Sequence, residues 1–151
     1  MRRRLFVRRG ERGAALVEGA LVIPLLLLIG VCIFEFGRAF QTWEVLTNAA
    51  REGARIAALP GTTDTQVRTR VQLYATNGAV AVPTGGWTSA IGVNRSTTID
   101  MGGGLTALGS TVSITYPYNF MVLHPVAQLV LSSTTLGNAI TLHATATMRN
   151  E

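Results

Sequence analysis

The sequence predicts an α+β protein: one long N-terminal transmembrane α-helix, then a small head with a second helix and an antiparallel sheet. Three observations carry this prediction. An Arg-rich stretch precedes a long apolar run. A helical pattern continues beyond that run as far as Pro60-Gly61. The C-terminal half then turns to Thr, Ser, Val and Ile with alternating polarity.

The apolar run comes first. Residues 14–37 read AALVEGALVIPLLLLIGVCIFEFG, and the sixteen residues 19–34 are uncharged. A bilayer core needs about twenty helical residues at roughly 1.5 Å each. Residues 14–36 satisfy that length when Glu18 and Glu35 stand near the two boundaries. A secretory signal peptide fits less well. The run is too long for its apolar region, Glu18 sits at its start, and no small-x-small cleavage site marks its end. Pro24 lies inside the run and should kink it, because proline removes a backbone hydrogen bond.

Charge sets the orientation expected for this span. Lys is absent, and six of the thirteen Arg are Arg2, Arg3, Arg4, Arg8, Arg9 and Arg12. Without residues 1–13, seven Arg remain (13 minus 6) against seven acids (8 minus 1). A nucleic-acid binder would keep a basic face on its folded part. Here the positive charge is a local signal, which keeps the N-terminus cytoplasmic and exports the residues after 37. The single cysteine, Cys32, has no intramolecular partner and reads as a small hydrophobe of the helix.

Glu18 is the most informative residue of the run. A carboxylate at the centre of a membrane helix costs about 2.5–3.5 kcal/mol, so such residues usually have a partner. Glu18 follows Gly13 by five residues, and Gly13 ends the basic stretch. Cleavage after Gly13 would free an α-amine at Ala14, one helical turn from Glu18. The acid could pair with that amine or with a neighbour's. The plainer reading is a carboxylate reaching to the headgroups.

Residues 38–58 continue the helix beyond the membrane. Trp43, Leu46, Ala50, Gly53, Ala54 and Ala57 share one broad face, with Arg51, Glu52 and Arg55 elsewhere. Ala49, Gly53 and Ala57 form a small-residue row at i, i+4 spacing, and Ala50, Ala54 and Ala58 a second row beside it. Such rows let a partner helix or a sheet approach closely. Alanine alone would answer to helix propensity, but Gly53 lowers it and so asks for a packing reason.

Pro60-Gly61 ends this helix. Thr63 with Gln66 reads as a capping box opening a second helix over residues 64–77, terminated by Gly78, with Val67, Val71 and Tyr74 as its buried face. Asp64 marks that helix start. Residues 78–89 read as a loop. Strands are expected at 96–101, where Asp100 marks the end, and at 111–118 and 139–148. In the second, Val112, Ile114 and Tyr116 alternate with Ser113, Thr115 and Pro117. In the third, Ile140, Leu142, Ala144 and Ala146 alternate with Thr141, His143, Thr145 and Thr147. Gly102, Gly103, Gly104 and Gly109 mark a flexible turn region. Residues 120–131, apolar but interrupted by Pro125, are too short for a second span and form a short helix or an exposed partner-binding loop.

The sequence carries no catalytic constellation. Without Lys there is no phosphate-loop lysine, and no G-x-S-x-G elbow occurs. His124 and His143 have no Cys or acid at ligand spacing. No metal, cofactor, nucleic acid or small-molecule substrate is expected, and the protein does not read as an enzyme.

Several separated stretches, taken together, resemble a family. They are residues 9–18 (RGERGAALVE), 35–40 (EFGRAF) and 46–55 (LTNAAREGAR). Their order closely resembles TadE-like proteins, pseudopilin or minor-pilin components of the bacterial tight-adherence (Flp, type IVc) pilus system. Gly19 follows the acid where the major Flp pilins have an aromatic residue, which fits the TadE-like group better. The resemblance implies a pilin-like head, a prepilin peptidase that cuts between Gly13 and Ala14, and Glu18 as the acid needed for processing and assembly. It implies partnership with other pilins or TadE-like subunits. The expected organisation is a cleavable leader 1–13, a transmembrane helix 14–37, an extracytoplasmic helical continuation 38–59 and a small α+β head 60–151. The protein would be a single-pass protein of the inner membrane, with the pilus as a second destination. The alternative is an uncleaved single-pass anchor carrying an exported binding domain.

Overall fold

The structure is a computed structural model that describes residues 9–130, 135 and 137–151. Residues 1–8 of the expected leader, and Leu131, lie outside the described residues. Helix α1, Arg9–Ala57, contains 49 residues. At 1.5 Å per residue it is about 73 Å long. It runs through Pro24 as one continuous helix. Among the described residues it is the one helix long and apolar enough to cross a membrane. Its mean hydropathy reaches 2.6 over a stretch of which nothing is buried. Then follow α2 (Asp64–Asn77), α3 (Gly86–Ala90), β1 (Ile91–Gly102), β2 (Leu105–Tyr118), α4 (Leu123–Val130) and β3 (Ile140–Arg149).

The three strands form one antiparallel sheet in the order β1-β2-β3. β1 and β2 are joined by a two-residue turn, with Gly102 paired to Leu105. Gly103 and Gly104 both have positive φ (64° and 81°), the conformation a tight hairpin turn of this hand requires. Pro117 sits in the central strand, where a missing N–H would normally break the ladder. It is tolerated because β1 pairs with β2 only as far as Ile114, while β3 continues to Tyr118. At Pro117 one side of β2 is therefore open.

The core lies between α1, α2 and the sheet. Leu46, Ala49, Ala50 and Ala54 of α1 are fully buried with Val67, Val71 and Ala75 of α2 and Val112 of β2. β2 runs antiparallel to α1. Ser110 donates to the Ala57 carbonyl at the end of α1 (3.2 Å), Val112 lies against Gly53, and the segment after Tyr118 meets Glu35. The chain thus climbs α1 and folds back along it. The hairpin turn ends up at the far end, and the β2–β3 connection at the end nearer the apolar run.

Where sequence and structure meet, the agreement is close. Helix α2 has the expected span, and the Thr63–Gln66 capping box is complete. Two details differ there. Ala75, not Tyr74, completes its buried row with Val67 and Val71, because residues four apart stay on one face; Tyr74 is exposed. The helix stops at Gly78, but the left-handed residue is Ala79 (φ 61°). A Cβ at position 78 would stand 2.4 Å from the Val45 side chain, so glycine there answers to close approach. All three strands exist, with β1 and β2 longer than expected. The expected loop 78–89 includes most of α3, which buries Trp87. Residues 120–131 contain the short helix α4. Trp43, placed with the apolar face, remains 41% exposed and donates its indole N–H to the His143 carbonyl of β3 (3.1 Å).

Candidate assembly and anchoring site on the first helix

The first helix divides into two stretches. In residues 13–34 the large apolar side chains stand clear of the rest of the chain, as Leu16 (75% exposed), Leu21 (73%) and Ile33 (70%) illustrate. Gly13, Ala14 and Glu18 lie on this bare stretch and are exposed. The Gly13–Ala14 bond lies inside the helix, since α1 already starts at Arg9. Glu18 follows Ala14 by one turn on the same side.

At the upper end of this stretch stands a buried carboxylate. Glu35 is fully buried and accepts hydrogen bonds from the backbone N–H of Met121 (2.9 Å) and Val122 (3.2 Å). Val122 is the first-turn acceptor of α4, since its carbonyl takes the N–H of Val126 (3.0 Å). The carboxylate therefore satisfies the N–H of Val122, the cap residue of α4 and one of the donors that helix geometry leaves without a partner, together with the N–H just before it, at the helix end that favours negative charge. Arg38 adds an ion pair at 3.6 Å. Pro125 falls in the first turn of α4, where no intrahelical N–H is lost. Aromatic rings close the site: Phe120 meets Phe36 (5.6 Å) and Tyr118 (5.4 Å) edge-on. Burial pushes the Tyr118 phenol above its ordinary pKa, and its hydroxyl has no hydrogen-bond partner among the described residues. A groove of about 420 Å³ opens between Phe36, Phe120, Leu123 and Ile140.

The sequence reading missed this role of Glu35. The only local signal was a second carboxylate at the end of an apolar run. Its partners come from a segment 86 and 87 residues away.

Higher on α1, Ala49 and Ala57 are buried at 0% and 3% exposure, and Gly53 is buried between them. A Cβ on Gly53 would stand 2.4 Å from Val71 Cγ2 and 3.2 Å from Val112 Cγ1. Here the helix backbone itself touches α2 and β2. The end of α1 is capped from the sheet: Arg95 (2.9 Å) and Ser110 (3.2 Å) both donate to the Ala57 carbonyl, and Glu151 N–H to that of Ala58 (3.2 Å). Cationic Arg95 complements the negative end of the helix and also pairs with Asp64 at 2.7 Å. Glu52 pairs with Arg55 (3.0 Å) and Arg70 (2.9 Å). The hydrogen bond from Arg55 outweighs partial burial and, with Arg70, holds the Glu52 carboxyl at about 2.

His143 is exposed and lies 3.4 Å from Thr115 Oγ1; His124 Nε2 lies 3.2 Å from Gln128 Nε2. Among the described residues no group of three or more His, Cys, Asp and Glu could hold a metal ion.

Both stretches of α1 fall in one region of sequence similarity. Residues 13–55 match the TadE-like protein family. The TadE-like segment begins at Gly13, takes in Glu18, Glu35 and Gly53, and ends just before α1 does. Neither the curated proteins nor the solved structures give a match. The TadE-like match supports a pilin-like component of tight-adherence pilus assembly, associated with a membrane through its N-terminal helix.

Proposed function

We propose that this protein is a TadE-like minor pilin or pseudopilin that spans the inner membrane once, with its N-terminus cytoplasmic and its head extracytoplasmic. A prepilin peptidase cuts between Gly13 and Ala14. The new α-amine of Ala14, or that of a neighbouring subunit, pairs with Glu18. The bare stretch of α1 then packs against other pilins or TadE-like subunits, and the head faces outward. The division is a leader 1–13, a span 14–37, a helical continuation 38–59 and a head 60–151. The work done is assembly, with no chemical step by the protein itself.

The observation that carries this reading is the TadE-like match across a helix whose first part stands free and bears Glu18. The Gly13–Ala14 bond lies in a helix, so the peptidase must locally unwind the first turns. Glycine, exposed and with no side-chain neighbour among the described residues, makes that unwinding easier.

The test is co-expression with the cognate prepilin peptidase, followed by mass spectrometry of the N-terminus. The expected mature chain starts at Ala14 and is lost in Gly13→Ala. Glu18→Ala is expected to be defective in assembly. An intact, membrane-bound chain starting at Met1 would refute the precursor reading and favour the uncleaved anchored binding domain.

A further inference from the structure

We propose that the β2–β3 connection, from Phe120 through α4, is an interfacial anchor whose partner is the lipid surface on the extracytoplasmic side. This deepens the reading above, since it rests on residues 14–37 being the span.

Position is the first argument. Glu35 ties the N–H groups of Met121 and Val122 to α1 at the point where the bare stretch ends. Because β2 folds back along α1, the connection is the part of the head nearest the span. The hairpin turn and the charged cluster of Asp64 and Arg95 at the end of α1 lie at the opposite end.

Exposed apolar surface is the second. Met121 is 69% exposed and Val122 40%, beside Phe36 at 55%. On α1 the same kind of surface continues downward through Phe34 (62%) and Ile33 (70%). Leu123 and Ala127, one turn apart, are buried, while Pro125 and Gln128 are exposed, so among the described residues α4 is held by one side. In water, exposed side chains such as Met121 gain nothing. At a bilayer boundary they enter the headgroup and acyl region, about 5–10 Å deep for interfacial helices.

Charge is the third. No Asp, Glu, Lys or Arg occurs between Asp100 and Arg149. The charge at this site belongs to α1: Glu35, whose carboxylate is satisfied by two backbone N–H groups and Arg38, and Arg38 itself, about a third exposed. Arg38 is long enough to reach the phosphates from there. A segment resting on lipid avoids desolvating charges, which membranes penalise heavily.

The experiment uses the full chain in phosphatidylcholine vesicles, with Cys32→Ser as background. A nitroxide is attached at Met121→Cys, at Val122→Cys as a second position, at Leu27→Cys in the bare stretch and at Leu105→Cys beside the hairpin turn. Collision is measured with oxygen, which partitions into lipid, and with a nickel chelate, which stays in water. Oxygen should dominate at 27, 121 and 122, and nickel at 105. Oxygen at 27 with nickel at 121 and 122 would overturn the interfacial anchor and leave the span intact. Nickel at all four positions would overturn both readings. Shielding from both reagents at 121 and 122 would mean that a second protein surface covers them, which also overturns it.

Discussion

Residues 13–34 and 35–57 belong to one unbroken helix, yet they use opposite kinds of side chain. The lower stretch is built from large hydrophobes that point outward, such as Leu25 and Leu26 at 57% and 60% exposure. The upper stretch turns small residues inward: Ala49, Ala50 and Ala54 have no exposed surface. Apolarity alone does not separate them. Size does. Helices and sheets packed at native density require close approach, which small side chains allow. Lipid chains conform around bulky side chains and require none. The side-chain size profile therefore records which solvent each stretch of α1 meets.

Enlarging a residue in the upper stretch should break this comparison most strongly. Gly53→Val places methyl groups where Val71 and Val112 already stand. Overpacking of this kind costs about 1–3 kcal/mol, and more where backbone must move. The expected result is a lower thermal midpoint of the head, read by near-ultraviolet circular dichroism in detergent micelles. Val71→Ala should restore part of it for Gly53→Ala, since the two positions touch.

Next comes the junction between the stretches. Glu35→Ala leaves the part-buried N–H groups of Met121 and Val122 without their acceptor, a loss of about 1.5–3 kcal/mol for hydrogen bonds to a charged group. Faster hydrogen exchange at those amides and at Val126 is expected, with the α2 amides unchanged. Glu35→Gln should be milder, because an amide oxygen still accepts.

Weaker still is the surface cluster of the upper stretch. Glu52 titrates at about 2 in the folded protein against an ordinary 4.5. Its contribution is fully present above about 4.5 and is lost as pH falls from there to about 2. Arg55 and Arg70 are roughly half exposed, so the effect is screened to about 0.2–1 kcal/mol. Glu52→Gln should remove that component of acid unfolding, measured as the thermal midpoint between pH 5 and pH 2.

The smallest effect is expected in the lower stretch. Leu27, 66% exposed, touches little of the chain. Leu27→Ala should leave the thermal midpoint of the head unchanged within about 0.5 kcal/mol, while the protein stays in the membrane fraction. A large drop would mean that the bare stretch is held by contacts of the monomer, and the contrast between the two stretches would fail.

How much of this could be read from the residues depends on the range of the interactions. The Thr63–Gln66 box is local, three residues apart, and it located α2 correctly. Alternation in β3 is local too: Leu142, Ala144 and Ala146 face inward, and Thr141, His143 and Thr145 outward. β1 began earlier than expected because Gly92 and Asn94 are poor strand residues on propensity. They are carried by pairing with Ser113 and Thr111 of β2. The triple glycine read as a flexible region is a tight hairpin turn, so β2 starts at Leu105 and not at Thr111. Glu35 was the least legible, since nothing near it in sequence announces α4 as its partner. Gly13, Ala14 and Glu18 form a pattern of chemistry along one exposed helix, which folding of the monomer neither uses nor hides.

The fastening of α1 has a mechanical side. The helix is gripped near the span by the two N–H groups on Glu35 and at its upper end by Arg95 and Ser110 on the Ala57 carbonyl. Between these points it lies side by side with β2. Tension applied to the head along the axis of α1 is then shared by both fastenings and the packed rows between them, as shear. Peeling the head sideways from the lower end would load the Glu35 contacts and the Phe36–Phe120 pair first. A head fastened this way resists pull along the axis of α1 far better than it resists a blow from the side.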